Sequence, residues 1–331
     1  MRLATRLNRQ EFIATLLGRS FAPPVVDLVI DSVRSSTNSQ YERAWKHLQT
    51  WLLTTEASSF EERDFLAFLA DLGTRVAPRT VSNYRAALKW PLQLGFHIDT
   101  SSSLAGRVIR GLALRYPKPP RILPLWSLDK VLSFLSGPRF LPSNCSMWDL
   151  TRKTIFLLSL ASGNRVSELA ALSRDALLFS NRDKEVTVAV RPNFRFKNQN
   201  NFVAPPNVSV KALPGVSSMA RALCPVRTLR DYLAATSPSK HPDLLINSKT
   251  GNPLTTQAVS LTICHLISQA DPGSIPRAHD TRKIAISLAW TRGLSPATIM
   301  SRMNLKTANS MFVHYLSSIP RPGFPSRPLD S

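Results

Sequence analysis

The chain has 331 residues and a formal net charge of +21, from 42 Lys and Arg against 21 Asp and Glu. So large a positive charge favours a polyanionic partner, above all nucleic acid, although a merely basic soluble protein stays open as the alternative. The length favours two soluble domains, no apolar run is long enough to predict a membrane span, and three scattered cysteines argue against disulfides or a zinc site, so no metal or other cofactor is expected.

Residues 1–35 are predicted to form a semi-ordered N-terminal arm. A short amphipathic piece around Phe12 is followed by the break Ala22-Pro23-Pro24. Glu11 interrupts the apolar pattern near the N-terminus, which argues against a secretory signal. An intracellular protein that is not secreted is therefore expected.

Residues 36–115 predict four short helices and no strand, which is typical of a compact all-α domain. The four helices are expected from Ser39 to about Leu53, over the run FEERDFLAFLADLG, from about Pro78 to Trp90, and from about Ser102 to Arg115. Pro91 is expected to end the third of them, because proline interrupts the helical hydrogen-bond ladder.

The third of these helices has a face suited to DNA. Val81, Tyr84 and Leu88 form the stripe that is expected to be buried. Donors for phosphates and base edges then face outward at Arg79, Thr80, Asn83, Arg85 and Lys89. An ordinary solvated polar face is an equally good explanation of this pattern, because every surface helix has one.

The rest of the chain predicts a linker, a second domain and a tail. Residues 116–125 are Pro-rich and basic, as in an extended linker, and residues 319–331 are a Pro-rich, loose tail. Between them, residues 126–318 predict helices and one hairpin, with a strand at 185–191 and its partner at 207–210. The run RVSELAAL is expected to be helical, and the run LLI at 244–246 a brief strand. The expected fold class is mainly α with a small β-sheet (α+β).

Two long segments of this second domain contain no acidic residue. One lies between Glu185 and Asp231, and the other extends from Thr281 to Leu329. Phosphates can approach such segments without repulsion between like charges. Both segments coincide with parts of the chain that carry candidate active-site residues.

Cleavage of a phosphodiester without a metal needs three kinds of side chain. A nucleophile attacks phosphorus, cations hold the non-bridging oxygens, and the leaving oxygen takes a proton. Tyrosine suits the attack, since its phenolate leaves readily enough for the break to be reversed. The planar fork of arginine suits the oxygens, and lysine or histidine suits the proton transfer.

The second domain carries candidates for these tasks. Arg165 follows the turn dipeptide Gly163-Asn164, and Glu168 lies three residues on, where it is expected to orient the guanidinium. His279 and Arg282 also stand three apart, and Tyr315 lies in an amphipathic segment downstream. Each residue alone has an ordinary structural explanation, so the hypothesis depends on their order and spacing.

These segments resemble the tyrosine recombinase (phage integrase) family over about residues 36–318. GNRVSELAALSRDAL is similar to the first conserved box of that family, HDTRK to its His-x-x-Arg box, and Tyr315 falls where its nucleophile does. APRTVSNYRAAL resembles the DNA-contacting helix of its core-binding domain. STNSQYERAWKHLQTWL, ALCPVRTLRDYL and HDTRKIAISLAWTRGLSPATIM look most like the recombinases of DIRS-type retrotransposons.

The resemblance implies a role for each catalytic candidate. Tyr315 would attack phosphorus and form a 3′-phosphotyrosyl link. Arg165 and Arg282 would hold the scissile phosphate, and His279 would hydrogen-bond to it or act as a base. No metal takes part in this chemistry.

The family also places a lysine in a β-hairpin between the two boxes, where it protonates the leaving 5′ oxygen. Lys197, after the strand at 185–191, is the preferred candidate, and Lys184 and Lys211 are less well placed. One position departs from the family pattern, since Asn304-Leu305 stands where the family has His or Trp about ten residues before its Tyr. Leucine cannot donate a hydrogen bond to phosphate.

Leu305 leaves three possibilities: a weakened but active enzyme, a decayed copy, or help from His314. The resemblance implies a site-specific recombinase or integrase that acts on double-stranded DNA, self-assembles on it as a dimer to tetramer, and serves the integration of a mobile element. Such an element in a eukaryote would place the protein in the nucleus. The alternatives are an inactive DNA-binding protein on the same scaffold and a type IB topoisomerase-like enzyme. A generic RNA-binding protein is disfavoured by the lack of an aromatic-rich RNA motif.

Overall fold

The structure is a computed structural model that describes residues 2–55, 59–117, 125–197, 207–215, 217–237 and 241–316. The chain divides into two compact units, Met1–Pro120 and Arg121–Ser331. Within the described residues the first unit is all helical and the second combines helices with one antiparallel sheet. The fold is therefore mainly α with a small β-sheet. Most of the predicted linker and the whole predicted tail lie outside the described residues.

The helices of the first unit pack around one apolar core. Trp45, Phe65, Leu69, Leu72 and Leu88 are buried at its centre. The helices are α1 (Arg2–Arg6), α2 (Arg9–Leu17), α3 (Pro23–Asp31), α4 (Ser35–Thr54), α5 (Glu62–Arg75), α6 (Pro78–Phe96) and α7 (Ser103–Arg115).

The expectation of a semi-ordered arm over residues 1–35 is wrong, because α1 and α2 pack on this core. The Phe12 ring lies 4.9 Å from the Trp45 ring, between centroids, and the Trp45 indole N–H donates to the carbonyl of Leu7. Gln49 donates to the carbonyls of Ala4 and Leu7. The sequence pattern misled at the Pro-Pro pair, since proline is well tolerated in the first turn of a helix, where it stands in α3.

The expectation that Pro91 ends the third predicted helix is also wrong, since α6 continues to Phe96. Proline at position 91 has no N–H to donate to the carbonyl of Ala87, four residues earlier. The Nε of Arg9 on α2 donates to that carbonyl instead, over 3.1 Å. A side chain from the N-terminal helices therefore replaces the missing hydrogen bond, and α6 passes through the proline.

The second unit surrounds a long central helix, α9, with further helices and the sheet. The apolar run at residues 155–158 of α9 is buried, and so are the polar side chains of Arg152, Lys153 and Thr154 just before it. The helices are α8 (Leu128–Ser136), α9 (Met147–Ser162), α10 (Val166–Leu169), α11 (Ser218–Ala222), α12 (Pro225–Ala235), α13 (Thr256–Ala270), α14 (His279–Thr291), α15 (Pro296–Arg302) and α16 (Ala308–Met311). No helix in the described ranges has the length and apolar character that a membrane span requires.

The sheet has the order β1-β2-β3, with β1 (Leu172–Phe179), β2 (Glu185–Val190) and β3 (Val208–Lys211) all antiparallel. The predicted hairpin is present, and Val186 pairs with Val210 in it. The predicted helix RVSELAAL is only one turn, α10, because the chain after it turns into β1. The predicted strand at 244–246 is reduced to an isolated bridge between Ile246 and Pro253.

A separate apolar cluster closes the described part of the second unit. It joins the second half of α14 to α15, α16 and a π-helical turn, Phe312–Leu316. The buried members include Ile286, Trp290, Ile299, Met303, Leu305, Met311 and Leu316. This cluster holds the C-terminal candidate residues against α14.

Candidate active site

Arg165 stands at the junction of α9 and α10, where the chain reverses. Gly163 ends α9 with a φ of 62°, a left-handed conformation that glycine adopts without strain. Arg165 then caps α10. Its backbone N–H donates to one oxygen of the Glu168 carboxylate over 2.8 Å, and its Nη1 donates to the other over 2.7 Å. Glu168, which is 1% exposed, therefore fixes both the backbone and the guanidinium of Arg165.

Arg282 lies on α14, on the same side of the unit, and is fully buried at 0% exposure. Its Nη1 donates to the carbonyl of Gly163 over 2.6 Å, and its Nη2 donates to the carbonyl of Met303. Its Nη1 also lies 3.9 Å from a Glu168 oxygen, so one carboxylate serves both arginines. Burial and the neighbouring Arg165 lower the pKa of Arg282. An arginine stays protonated at neutral pH even so.

Tyr315 brings its hydroxyl to this pair of arginines. Its Oη lies 3.4 Å from the Nε of Arg282 and 3.4 Å from the Nε2 of His279. The residue stands on the π-helical turn, and Ser287 of α14 donates to its backbone carbonyl over 3.4 Å. Because Met311 and Leu316 on either side are buried, the turn is held at both ends. π-Helical turns are rare and often occur at functional sites.

His279 begins α14 and faces the hydroxyl of Tyr315. Partial burial, followed by the positive charges of Arg282, Lys283 and Arg165, lowers the pKa of His279 from 6.5 to about 4. The imidazole is therefore neutral at physiological pH. In the tautomer that carries its proton on Nδ1, Nε2 accepts a hydrogen bond from the tyrosine hydroxyl.

The formal charges of the site match a phosphodiester. Arg165 and Arg282 contribute two positive charges, Glu168 contributes one negative charge, and His279 is neutral. One positive charge remains, beside a tyrosine hydroxyl. A phosphodiester carries one negative charge, so its binding would bring the net charge of this group of residues to zero.

The position that departs from the family pattern belongs to the apolar cluster. Leu305 is 9% exposed and packs with Met303 and its neighbours. Asn304 before it has a φ of 47°, a left-handed conformation that asparagine tolerates better than most residues. The carbonyl of Asn304 lies 3.5 Å from the Nη1 of Arg165. The backbone here contacts the site, while the Leu305 side chain packs in the core.

The structure does not bring Lys197 into this group. The side chain is exposed and directly precedes residues 198–206, which lie outside the described residues. No hydrogen bond or ion pair within the described ranges joins Lys197 to the two arginines, His279 or Tyr315. Lys211 pairs with Glu185 at the end of the hairpin far from Val190, and Lys184 adjoins that same end. The choice of Lys197 stays a prediction.

The predicted DNA-contacting residues stand on α6 of the first unit. Arg79, Asn83 and Lys89 are exposed, and Thr80 and Arg85 are partly buried. The predicted inner stripe of this helix is present, since Val81 and Leu88 are fully buried and Tyr84 is partly buried. The helix therefore has one packed side and one polar side, and its contact with DNA stays a prediction.

Two contacts that position the site have no signal in the sequence. Ser159 of α9 and Thr281 of α14 join their hydroxyls over 2.6 Å inside the core, next to Arg282. Ser287 holds the backbone of Tyr315. No sequence signal distinguishes these three hydroxyls from others, because each makes a contact whose partner lies on a distant part of the chain.

No protein-family model matches this chain, and no curated protein matches its sequence. Solved structures, in contrast, match this chain in fold. XerH site-specific recombinase bound to difH substrate has a TM-score of 0.61 and 13% identity, over 95% of this chain and 93% of that one. Tn1549 transposon integrase in complex with transposon right end DNA has a TM-score of 0.59 and 13% identity, over 93% and 95%. Lambda integrase bound to DNA has a TM-score of 0.55 and 13% identity, over 92% and 95%. The chain therefore has the fold of tyrosine recombinases.

Proposed function

We propose that this chain is a site-specific DNA recombinase that cleaves and rejoins DNA through a 3′-phosphotyrosyl intermediate on Tyr315. The observation that carries the proposal is the approach of the Tyr315 hydroxyl to 3.4 Å from both Arg282 and His279. These groups come from distant parts of the chain and meet beside Arg165. Arg282 also holds the backbone at Gly163 and Met303, but that contact does not require a histidine and a tyrosine hydroxyl beside it, whereas phosphoryl transfer uses this set of groups.

The chemistry follows from the geometry. A phosphodiester bound by Arg165 and Arg282 presents phosphorus to the Tyr315 oxygen. The hydroxyl proton moves to the neutral His279 as the new P–O bond to tyrosine forms. The bond from phosphorus to the 5′ oxygen breaks, and that oxygen takes a proton from a general acid, for which Lys197 is the candidate. The 5′ hydroxyl of another strand reverses these steps and completes the exchange.

The phosphate itself would help His279 to act as a base. A pKa of about 4 makes the free imidazole a weak acceptor, chiefly because of its partial burial and the nearby cations. A bound phosphodiester adds a negative charge near those cations and raises the pKa of His279. Substrate binding would therefore prepare the residue for proton transfer.

A covalent trapping experiment tests the proposal. Duplexes with a random central sequence and a nick are incubated with the protein, so that a cleaved fragment diffuses away and the covalent complex persists. We expect an adduct that survives denaturation, is absent with Tyr315→Phe, and falls at least about a hundredfold with Arg282→Ala, by analogy with the loss of one charge-stabilising group. An adduct that persists with Tyr315→Phe would refute the assignment of the nucleophile. Sequencing of the trapped DNA gives the target site.

A non-catalytic DNA-binding protein on the same scaffold is the second candidate. Leu305 favours it, because an apolar side chain packs where the family has a donor to the phosphate. In that case the random duplexes would bind, but no covalent adduct would form with the unmodified chain.

The wider biological roles that we propose rest on the resemblance to the recombinases of DIRS-type retrotransposons. They are the integration of a mobile element, action in the nucleus of a eukaryotic host, and assembly of two to four protomers on double-stranded DNA. Strand exchange between two duplexes needs more than one active site, which supports the assembly. Size measurement of the complex with the trapped target DNA tests it, since one protomer per duplex would contradict the proposal.

A further inference from the structure

The first unit contains a cavity of about 190 Å³ between α2, α3, α4 and α6. Its walls are mostly apolar, with Ile13 from α2 and Val29 and Val33 from and after α3. Tyr41 of α4 and Trp90 of α6 add two aromatic rings. An engineered apolar cavity of about 150 Å³ holds one benzene ring. A cavity of this size therefore has room for one aromatic ring.

Arg9 lines this cavity and is 5% exposed. Its Nε is occupied by the carbonyl of Ala87, and its backbone N–H by the carboxylate of Glu42. Its guanidinium lies 4.8 Å from the centroid of the Tyr41 ring. Within the described part of the chain, the two terminal nitrogens of Arg9 donate no hydrogen bond. Neither nitrogen is among the fully buried atoms without a partner, so both keep accessible surface at which an anion or another acceptor can bind. The carboxylate of Glu42 also acts on this guanidinium charge.

Four further polar residues line the same cavity: Gln10, Ser32, Asn38 and Lys89. Lys89 of α6 adds a second cation, and its side chain is exposed. The Oδ1 of Asn38 is fully buried and therefore does not face the open space of the cavity. None of the described lining residues is acidic. The cavity thus combines apolar and aromatic walls with two cations.

We propose that this cavity binds a small aryl or nucleoside phosphate, with its ring between the apolar walls and its anion on Arg9 and Lys89. This site is separate from the strand-transfer chemistry and does not depend on it. Because Lys89 also belongs to the predicted DNA-contacting side of α6, the ligand and DNA would share that lysine.

Calorimetric titration of the full chain with phenyl phosphate tests the site. We expect phenyl phosphate to bind at least tenfold more tightly than inorganic phosphate, because the ring occupies the apolar part of the cavity. Inorganic phosphate also measures anion binding at Arg165 and Arg282. That site offers no aromatic cavity, so it gives no reason for phenyl phosphate to bind more tightly. Equal affinity for the two anions would overturn the proposal.

Substitutions locate the binding. Ala86 is an exposed residue on α6 at the cavity, so Ala86→Trp places a large ring over it without disturbing the core. We expect Ala86→Trp to weaken phenyl phosphate binding at least tenfold, and the same change at exposed Ala113 on α7 to leave it unchanged. Lys89→Gln should weaken binding severalfold, whereas Lys46→Gln, at an exposed lysine that does not line the cavity, should not. Binding unaffected by Ala86→Trp would refute the site.

The source of the phosphate is distinguished by two further titrations. Thymidine 5′-phosphate that binds as phenyl phosphate does, with the same loss in Ala86→Trp, indicates a free nucleotide as the ligand. If only a single-stranded oligonucleotide binds, and Ala86→Trp weakens that binding, the ligand is a nucleotide within a DNA strand. Either result supports the cavity as a phosphate-ester site. If neither the nucleotide nor the oligonucleotide binds, the proposal is contradicted for nucleoside phosphates.

Discussion

At the scale of single residues, the site is built on shared partners. One carboxylate, Glu168, orients Arg165 directly and lies within 3.9 Å of Arg282. Arg282 in turn binds the backbone at Gly163 and Met303, on both sides of the site. Loss of Glu168 leaves both arginines without their carboxylate, and loss of Arg282 leaves the carbonyls of Gly163 and Met303 without their donor. The arginines and Glu168 are therefore expected to act as a unit, with effects that do not add.

The titration of His279 is a first prediction at this scale. We expect the ring to titrate near pH 4 in the free protein and at a higher pH with sulfate or DNA bound, as measured by NMR of the imidazole signals. The folded pKa lies below the unfolded value of 6.5, so the unfolded chain binds more protons between pH 6.5 and 4. The stabilising contribution of His279 is thus complete above about pH 6.5 and is lost as the pH falls towards 4. A ring that titrates near 6.5 in the free protein would show that neither the burial nor the neighbouring cations act on its pKa.

Leu305 gives a second prediction. Leu305→His is expected to raise the yield of covalent adduct up to about tenfold, since a new donor beside the phosphate stabilises the transition state. It should also lower the melting temperature, because a polar ring enters an apolar cluster. Leu305→Met, which keeps the volume, is the matched control and should change stability by less than about 1.5 kcal/mol. If Leu305→His lowers the adduct yield in proportion to the loss of stability and never raises it, position 305 does not reach the phosphate.

At the scale of the elements, α2 and α6 depend on each other through Arg9 and Pro91. Arg9→Met is expected to destabilise the protein by about 1–3 kcal/mol, because it leaves the Ala87 carbonyl without a donor. Pro91→Ala restores the N–H of residue 91 and should reduce that loss. Chemical denaturation of the two single variants and the double variant measures the coupling, which we expect to exceed about 0.5 kcal/mol. Additive effects would mean that the two residues are independent.

The elements also show where sequence patterns were sufficient and where they failed. The buried stripe of α6 and the valine pairing of β2 with β3 follow from local periodicity, and both are present. The N-terminal helices and the passage of α6 through Pro91 depend on contacts with residues far along the chain, such as Arg9 with Ala87. The strand β1 has Arg174 and Asp175 in its middle and a shifted register there, so its sequence lacks the alternation of a strand.

At the scale of the whole molecule, the charge of +21 predicts a strong salt dependence of DNA binding. The logarithm of the affinity should fall linearly with the logarithm of the salt concentration, because bound phosphates release counterions. Lys89→Gln is expected to reduce that slope by about 1 and to weaken binding to all sequences alike. Asn83→Ala should leave the slope unchanged and alter sequence preference.

Arg63→Gln is the control for this series. Arg63 is exposed and lies near the carboxylates of Glu61 and Asp64, so it should contribute little to phosphate binding. Filter binding or fluorescence anisotropy at several salt concentrations gives the slopes. A Lys89 variant with the slope of the unmodified chain would remove α6 from the DNA interface.

The sequence predicts those residues of the candidate site that have a characteristic residue type and spacing, and no others. Arg165, His279, Arg282 and Tyr315 were found because they fall in recognisable boxes, and the structure brings them together. Ser159, Thr281 and Ser287 were not found, because a hydroxyl that holds one helix against another leaves no local pattern. Lys197 was chosen by its place after a strand and not by a box, so its role as general acid stays a prediction.

Because Phe312–Leu316 is a π-helical turn, the direction of the Tyr315 side chain depends on the number of residues in this segment. Such a turn accommodates one residue more than an α-helical turn, and successive residues of a helix point about 100° apart. A deletion of one residue in the turn ahead of Tyr315 would let α16 continue as a regular helix and rotate the tyrosine away from Arg282. Every side chain of the site would remain in the sequence, yet the hydroxyl would no longer reach it. In this segment a change in residue count is therefore more disruptive than most changes in residue type.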